Sequence, residues 1–515
     1  MLAPTRLTTV ITIAFALASS QAFAKFVMPS DAPVDRLVKN LAAYIEEHPK
    51  DAQGYYNLAR VHSLAFTLKA KSIGAFERRE LPYPADEDMQ KFTRKVSKLT
   101  EKDDKKAGTN NTDEPTSSEL EAHIREAVRN FNKAIAIDPK KGLFFLSLGS
   151  LLESAVAQSS ECWFAPLNIP VGIDEKDRDA AVRMVQDIVD GKSDASEAER
   201  IIAGGKWDWS AHQYRALIAA LQDAQFAKDQ TQRAEIRRLL DLHWNQATKD
   251  CYFQAFKLGF PEESQRKYQP IRGLKDLISH DAAQSFLRVT KNSTAQQKEK
   301  GRIAEVTAGL ASLQKIPPSH AITPIIFSMS PSQSVRQLVA PRVSVTFDLD
   351  GTGLPQQWTW VRPETGILVW DPSGIGQVTS GRQLFGSVTW WMFWENGYRA
   401  LDALDDNRDG ELSGSELVGL AVWFDRNASG ASDPGEVVPL ARLAITRVAC
   451  SETTESDGCP ANLHGLTLAD GTELPTYDWI ARSTNLGGRG ELSYHVITAL
   501  AVIASAFLFM HRRSR

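Results

Sequence analysis

The sequence predicts an α+β multidomain chain. It has an amino-terminal all-α helical repeat array, a carboxy-terminal small α+β module and a single carboxy-terminal transmembrane helix. Three observations predict this. Apolar residues recur with helical spacing through most of 31–315. The period drops to two at Val343, Val345 and Phe347, as expected of a strand. Residues 492–510 form an uncharged, mostly apolar run just long enough to cross a bilayer as a helix. At 515 residues the chain is long enough for about two to four domains. Its net charge of -4, with lysine and arginine scattered, excludes a global basic footprint, so no nucleic acid is expected as a partner.

The ends read as targeting segments. Arg6, an apolar run over 7–18 and Ala22-Phe23-Ala24 before Lys25 have the order of a secretory signal peptide, so 1–24 is expected to be removed. Residues 483–491 read as a linker, 492–510 as the membrane span and 511–515 as a basic cytoplasmic tail, which places the bulk of the chain in the periplasm or outside the cell. The small residues, apolar helix and basic end of this tail resemble the tripartite sorting signals of bacterial envelope proteins.

The helical half begins with an amphipathic stretch over 31–48, ended by Pro49, and a second helix over 51–71 with Tyr55, Leu58, Ala59 and His62 on one face. Ala127, Phe131, Ala134 and Pro139, followed by Phe145, Leu148, Gly149 and Leu152, repeat a pattern of small and bulky positions that lets two helices approach closely. On these residues 31–157 resembles a tetratricopeptide-repeat (TPR) region. Such arrays make concave surfaces, which implies a protein or peptide partner. An insertion at about 73–118, containing the polar run TEKDDKKAGTNNTDEPTSSE, is expected to be disordered. Residues 158–315 read as a further helical domain, in which Trp207, Trp209, Trp244, Tyr252, Phe253 and Phe256 are core. His212, His243 and His280 are dispersed and lack metal-ligand spacing. The prolines of 316–342 predict a linker.

Within 343–482, strands are expected at 343–347, 358–361 and 366–370. The most informative stretch is 405–436. Asp405, Asn407, Asp409, Gly410, Ser413 and Glu416 occupy every ligand position of an EF-hand calcium loop, with Gly410 at the sharp bend. A hard cation takes six to eight oxygens, so short carboxylates and amides alternate with outward-pointing residues. Glu411 offers its backbone carbonyl, and Leu412 is the apolar residue that pins the loop to a core. Asp425, Asn427, Ser429, Gly430, Asp433 and Glu436 repeat the grammar, with Ser432 where the apolar pin is expected. The loops begin 20 residues apart (405 to 425), so one short element, about 12 Å long if helical, must serve both. The preceding segment, 389–404, carries Trp390, Trp391, Phe393, Trp394, Tyr398, Leu401 and Leu404, which read as core. Asp371-Pro372-Ser373-Gly374-Ile375-Gly376 begins like a third loop but puts Ile375 at a ligand position and ends without an acid. Asp348 and Asp350 are too few ligands to form a site alone.

The ordered runs FDLDGTG, GILVWDPSG, QLFG, ENGYRALDALDDNRDGELSGSE, LAVWFDRNASGASDPGEVVPLARLAI and ADGTELPTYDW resemble a bacterial extracytoplasmic calcium-binding module found in haemolysin-type secreted proteins. The resemblance implies an α+β unit that binds Ca2+ and has no catalytic activity of its own. It also implies ligand roles for Asp405, Asn407, Asp409, Glu411, Ser413 and Glu416, and for Asp425, Asn427, Ser429, Ala431, Asp433 and Glu436.

Of the four cysteines, Cys450 and Cys459 bracket a polar loop and are the expected disulfide, with Cys162 and Cys251 a pair by elimination only. The functional expectation is an envelope-anchored, non-enzymatic scaffold whose module is stabilised by calcium. The alternative is an extracytoplasmic hydrolase with scattered catalytic residues in the 160–315 region, although no nucleophile elbow, phosphate loop or zinc motif is present.

Overall fold

The computed structural model describes residues 32–73, 115–157, 175–204, 216–218, 220–221, 230–265, 278–291, 297–315, 321–330, 334–353 and 355–483. The expected signal peptide, most of the polar insertion, Cys162 and the 492–510 span lie outside the described residues.

The helices are α1 (Val34–Glu47), α2 (Ala52–Leu68), α3 (Ser117–Ile137), α4 (Gly142–Ala157), α5 (Glu175–Val189), α6 (Ser196–Gly204), α7 (Gln230–Glu263), α8 (Ile278–Val289) and α9 (Lys300–Leu313). Asp51 caps α2 by accepting from the Gln53 amide, and Thr116 and Glu119 form a reciprocal capping box on α3. The small-and-bulky pattern is realised as close packing. Tyr56 of α2 lies 5.8 Å from Phe131 of α3 and 5.1 Å from Phe144 of α4, ring centre to ring centre. A β-carbon on Gly149 would sit 2.9 Å from the Tyr252 ring of α7, so the side chain must be absent for α4 and α7 to approach this closely.

The carboxy-terminal half is built mostly from strands. These are β3 (Ala321–Ile322), β4 (Ile325–Ser328), β5 (Val339–Phe347), β6 (Gln356–Val361), β7 (Thr365–Trp370), β8 (Glu411–Ser413), β9 (Leu420–Trp423), β10 (Val437–Pro439), β11 (Ile445–Ala449), β12 (Thr454–Ser456), β13 (Cys459–Leu468), β14 (Glu473–Asp478) and β15 (Ala481–Arg482). A first short pair, β1 (Ala32–Pro33) with β2 (Ser72–Ile73), ties the ends of the α1–α2 hairpin together. Nine strands form one antiparallel sheet in the order β10-β9-β7-β4-β14-β13-β11-β8, with β12 on β13. The sheet must curl. Six strand spacings separate β8 from β9, about 29 Å if flat. The seven residue steps from Ser413 to Leu420 reach at most about 24 Å.

Three expectations are corrected here. Among the described residues no helix is long and apolar enough to cross a membrane, and the single transmembrane helix is withdrawn from the fold class. In place of a small α+β module stands a large curled antiparallel sheet, and the one short element between the two acidic loops is strand β9. The stretch expected as a linker supplies β4, which lies between β7 and β14 inside that sheet.

Both faces of the sheet are covered. Along β7, Ile367 and Val369 join a core with Trp360 and Trp423, while Leu368 and Trp370 join a second core with Trp390 and Trp394. The second core also contains Leu37 and Leu41 of α1 and Leu58, Val61 and Leu64 of α2. The first helical hairpin is therefore part of the covering of the sheet. The tryptophan-rich turn at 390–393 stands between them, with Trp390, Trp391 and Phe393 in left-handed conformations (φ 53°, 62° and 57°) that cost an aromatic side chain energy and need surrounding packing to hold. All three are buried, as expected of core.

Between α2 and α3, the Nδ1 atoms of His62 and His123 meet at 2.9 Å. Burial, with His123 beside it, lowers the His62 pKa to about 3. The folded protein then binds fewer protons than the unfolded chain between about pH 3 and pH 6.5, so stability present above that window is lost as pH falls through it. We expect the chemical unfolding midpoint to drop between pH 7 and pH 4, and the slope to become shallower in His62→Gln. An equal slope in the variant contradicts the assignment.

Candidate metal centre

The two acidic loops occupy different places in the sheet. The first, 405–416, follows a short helix, α10 (Gly397–Asp402), and its later residues form edge strand β8, paired with β11. The second, 425–436, is the connection of the β9–β10 hairpin, whose closing pair is Trp423 with Val437.

Despite these different settings, the loops share the main bonds of one hydrogen-bond scheme. The first-position carboxylate accepts from the sixth-position glycine amide: Asp405 Oδ2 from Gly410 at 2.9 Å, Asp425 Oδ2 from Gly430 at 2.8 Å. The last-position carboxylate spans the loop. Glu416 Oε1 accepts from the Asp406 amide at 2.8 Å and Oε2 from the Ser413 amide at 3.0 Å. Glu436 does the same with Arg426 at 2.8 Å and Asp433 at 3.1 Å. The third position accepts from the fifth, Asn407 from Asp409 at 2.9 Å and Asn427 from Ser429 at 3.0 Å. The fifth accepts from the seventh, Asp409 from Glu411 and Ser429 from Ala431, each at 3.1 Å. Gly410 and Gly430 have φ of 87° and 70°, where a β-carbon is strained.

Charge and burial follow the same plan. Asp405, Glu416, Asp425 and Glu436 are all buried at 5 % exposure or less, while Asn407, Asp409, Asn427, Ser429 and Asp433 stand at the exposed rim. Burial raises the Asp425 carboxyl above its ordinary range, against the opposing hydrogen bonds from Gly430, Ser429 and the Trp360 indole, which donates to Oδ2 at 2.7 Å. At the rim, asparagine amide hydrogens bridge the acids: Asn407 Nδ2 donates to Asp409 Oδ2 at 3.0 Å, and Asn427 Nδ2 to Asp433 Oδ2 at 2.7 Å. Among the described residues no group of three or more His, Cys, Asp or Glu side chains converges on a common centre. The donor set is nevertheless all oxygen, with a loop backbone fixed by its own amides, which fits a hard cation such as calcium.

The loops are pinned differently. Leu412 is fully buried in the core that contains Leu401 and Leu404, as its position predicts. Ser432 uses its hydroxyl instead, accepting from the Val378 amide at 2.8 Å. The two incomplete turns keep only part of the scheme. Asp371 Oδ2 accepts from Gly376 at 2.9 Å and Asp348 Oδ1 from Gly353 at 2.8 Å, the same first-to-sixth bond. The Asp348–Asp350 pair is already satisfied by Ser380, Thr352 and Gln356, beside Arg382, which donates to the Gly351 carbonyl. Burial and the neighbouring Asp350 push Asp348 up to about 7.

Cys450 is a buried free thiol, so the structure holds no Cys450–Cys459 disulfide, a correction to the expected pair; Cys251 and Cys459 are buried as well. Cys450 follows β11 and Cys459 opens β13. The strand pairing brings Ser456, not Cys450, opposite Cys459. Partner Cys162 lies outside the described residues.

Residues 333–479 match the SPM domain family, a span that takes in both loops and every strand of the nine-stranded sheet except β4. The chain is also similar to the iron-regulated protein FrpA of Neisseria meningitidis serogroup C, at 30 % identity over 178 residues. That match takes in 28 % of this chain and 16 % of FrpA, so the chain spans a minor part of that protein's length.

Alkylation of the unfolded, unreduced protein is expected to label Cys450. Recovery of a disulfide-linked peptide pair containing Cys450 contradicts the thiol assignment.

Proposed function

We propose that this chain is a calcium-binding, non-enzymatic scaffold that acts outside the cytoplasm, with calcium holding the two loops of its carboxy-terminal sheet. The observation that carries this reading is the hydrogen-bond scheme common to 405–416 and 425–436, which recurs although one loop follows a helix and the other joins two strands. Ordinary acidic turns in such different settings have no reason to share it. In this reading Asp405, Asn407, Asp409, Glu411, Ser413 and Glu416 hold one ion, the Glu411 carbonyl among them. Asp425, Asn427, Ser429, Ala431, Asp433 and Glu436 hold the other.

Calcium acts here as a structural staple. A calmodulin-type switch opens two helices that move independently. Strands β9 and β10 flank the second loop and leave no such pair to move. Extracellular calcium modules bind in the range of about 0.1 to 1 mM, so an exported chain would hold its ions and a cytoplasmic one would not. The leader-like residues 1–24 support export. The helices of 31–157 act in this reading as TPR-like repeats that take a protein or peptide partner.

Thermal unfolding tests the calcium reading. A ligand that binds only the folded state stabilises by about 2.7 kcal/mol per site at a hundred times its Kd. The full chain should melt higher in calcium than in chelator, and Glu416→Gln and Glu436→Gln should each remove part of that gain. Identical melting curves in calcium and chelator contradict the proposal.

A further inference from the structure

The first loop is held from outside the sheet by the amino-terminal helix. Arg36 Nε donates to Asp406 Oδ1 at 2.9 Å, and Arg36 Nη2 donates to the Leu404 carbonyl at 2.7 Å. Asn40 Nδ2 donates to the same Asp406 Oδ1 at 2.9 Å and to the Ala403 carbonyl at 3.0 Å. From the other side, Arg408 donates to Glu47 at 3.0 Å and to Asp402 at 2.8 Å, with Arg399 and Arg408 stacked over the Tyr44 ring at 3.7 and 5.5 Å. One turn further, Gln53 and Arg60 of α2 donate to the Phe393 and Trp391 carbonyls of the left-handed turn. Helix α1 thus grips loop 405–416 just ahead of its first residue and at its second and fourth positions, over a shared apolar core.

The chemistry of those positions decides what the grip does. Positions two and four are not ligand positions, so their contacts with α1 do not compete with an ion for oxygen. They do fix the segment between Asp405 and Asp409, where three ligand side chains must converge. The Asp406 amide is also the group that Glu416 Oε1 accepts from. The grip and the closing carboxylate therefore meet on one residue. Loop 425–436 provides a contrast in the same chain. Among the described residues, it bonds to Trp360 and Val378 of the carboxy-terminal half, and Arg426 donates to its own loop at the Gly435 carbonyl.

We propose that the first loop is a calcium-dependent latch for the amino-terminal helical hairpin: ion binding at 405–416 and docking of α1 reinforce one another, while the second loop is independent of α1. This rests on the calcium reading above and assigns its two sites different roles. Coupling between binding events is reciprocal, and couplings of 5- to 150-fold are usual. An ion at the first loop therefore tightens α1 by the same factor by which α1 tightens the ion. Calcium then sets how firmly the first helical hairpin, and with it the edge of the helical array, is held against the sheet.

The test uses the full chain, calcium chloride as the probe, and hydrogen exchange read by mass spectrometry. In the wild type and in Glu436→Gln, calcium should slow exchange in peptides spanning 34–47 by on the order of tenfold. Glu416→Gln should abolish that slowing. Arg36→Ala with Asn40→Ala should weaken calcium binding at the first loop by on the order of tenfold and leave the second unchanged. Asp406→Asn, on the loop side of the same contact, should have the same selective effect without altering a ligand. Protection that rises at 405–416 with no change at 34–47 overturns the latch and leaves calcium binding intact. Equal weakening of both loops in the Arg36/Asn40 variant also overturns it. Calcium-insensitive exchange at both loops overturns the latch together with the reading beneath it.

Discussion

A buried carboxylate closes each acidic loop, and the rest of the carboxy-terminal half is arranged around that fact. Glu416 and Glu436 each join the second and ninth positions of their loop through backbone amides. Charge-assisted bonds of this kind are about twice as strong as neutral ones. They offset only part of the cost of holding buried negative charge, which is several kcal/mol per ion in a protein interior. Asp405 and Asp425 add a second buried acid to each loop. A divalent cation is the natural complement of such a pair. The asparagine amides that bridge the rim acids supply a weaker positive partner at the exposed end.

The sheet makes this arrangement possible by curling. Its edge strand β8 lies inside one loop, and the β9–β10 hairpin is closed by the other, yet only a short turn joins β8 to β9. Curling a sheet of this width exposes two faces to cover. One is filled by the cluster of Phe347, Trp360 and Trp423, whose rings lie 5.4–5.7 Å apart. The other is filled by the Trp390 turn and by α1 and α2. The helical hairpin nearest the amino terminus is thereby committed to the sheet rather than to the helical array alone, which makes contact between α1 and the first loop a consequence of how the core is completed.

Much of this was legible in the sequence. The two loops were, because their geometry demands particular residues at fixed spacing: an acid at the first position, glycine at the sixth and an acid at the twelfth. Strands β5, β6 and β7 were also legible, from alternation at Val343, Val345 and Phe347 and from the aromatic runs that follow. What the sequence hid has physical causes. Ile325–Ser328 and Leu420–Trp423 are buried along their whole length, so neither shows a period of two. The first reads as a linker between prolines, and the second only as one short element that serves both loops. Ser432 looked like a missing apolar pin because its replacement is a hydrogen bond to Val378, a contact with no local signature. The grip of Arg36 and Asn40 on Asp406 joins residues more than 360 positions apart, and no pattern along the chain marks it. Cys450 and Cys459 looked well spaced for a disulfide, but strand pairing, which sets their real separation, is not encoded in spacing.

The central claim is that two oxygen-lined loops of one exported chain each take a calcium ion. Equilibrium dialysis of the purified full chain against radioactive calcium at millimolar concentration reads this directly. The account predicts two ions per chain, falling to one when the closing glutamate of either loop is replaced by glutamine and to none when both are. A chain that retains no calcium at that concentration contradicts it.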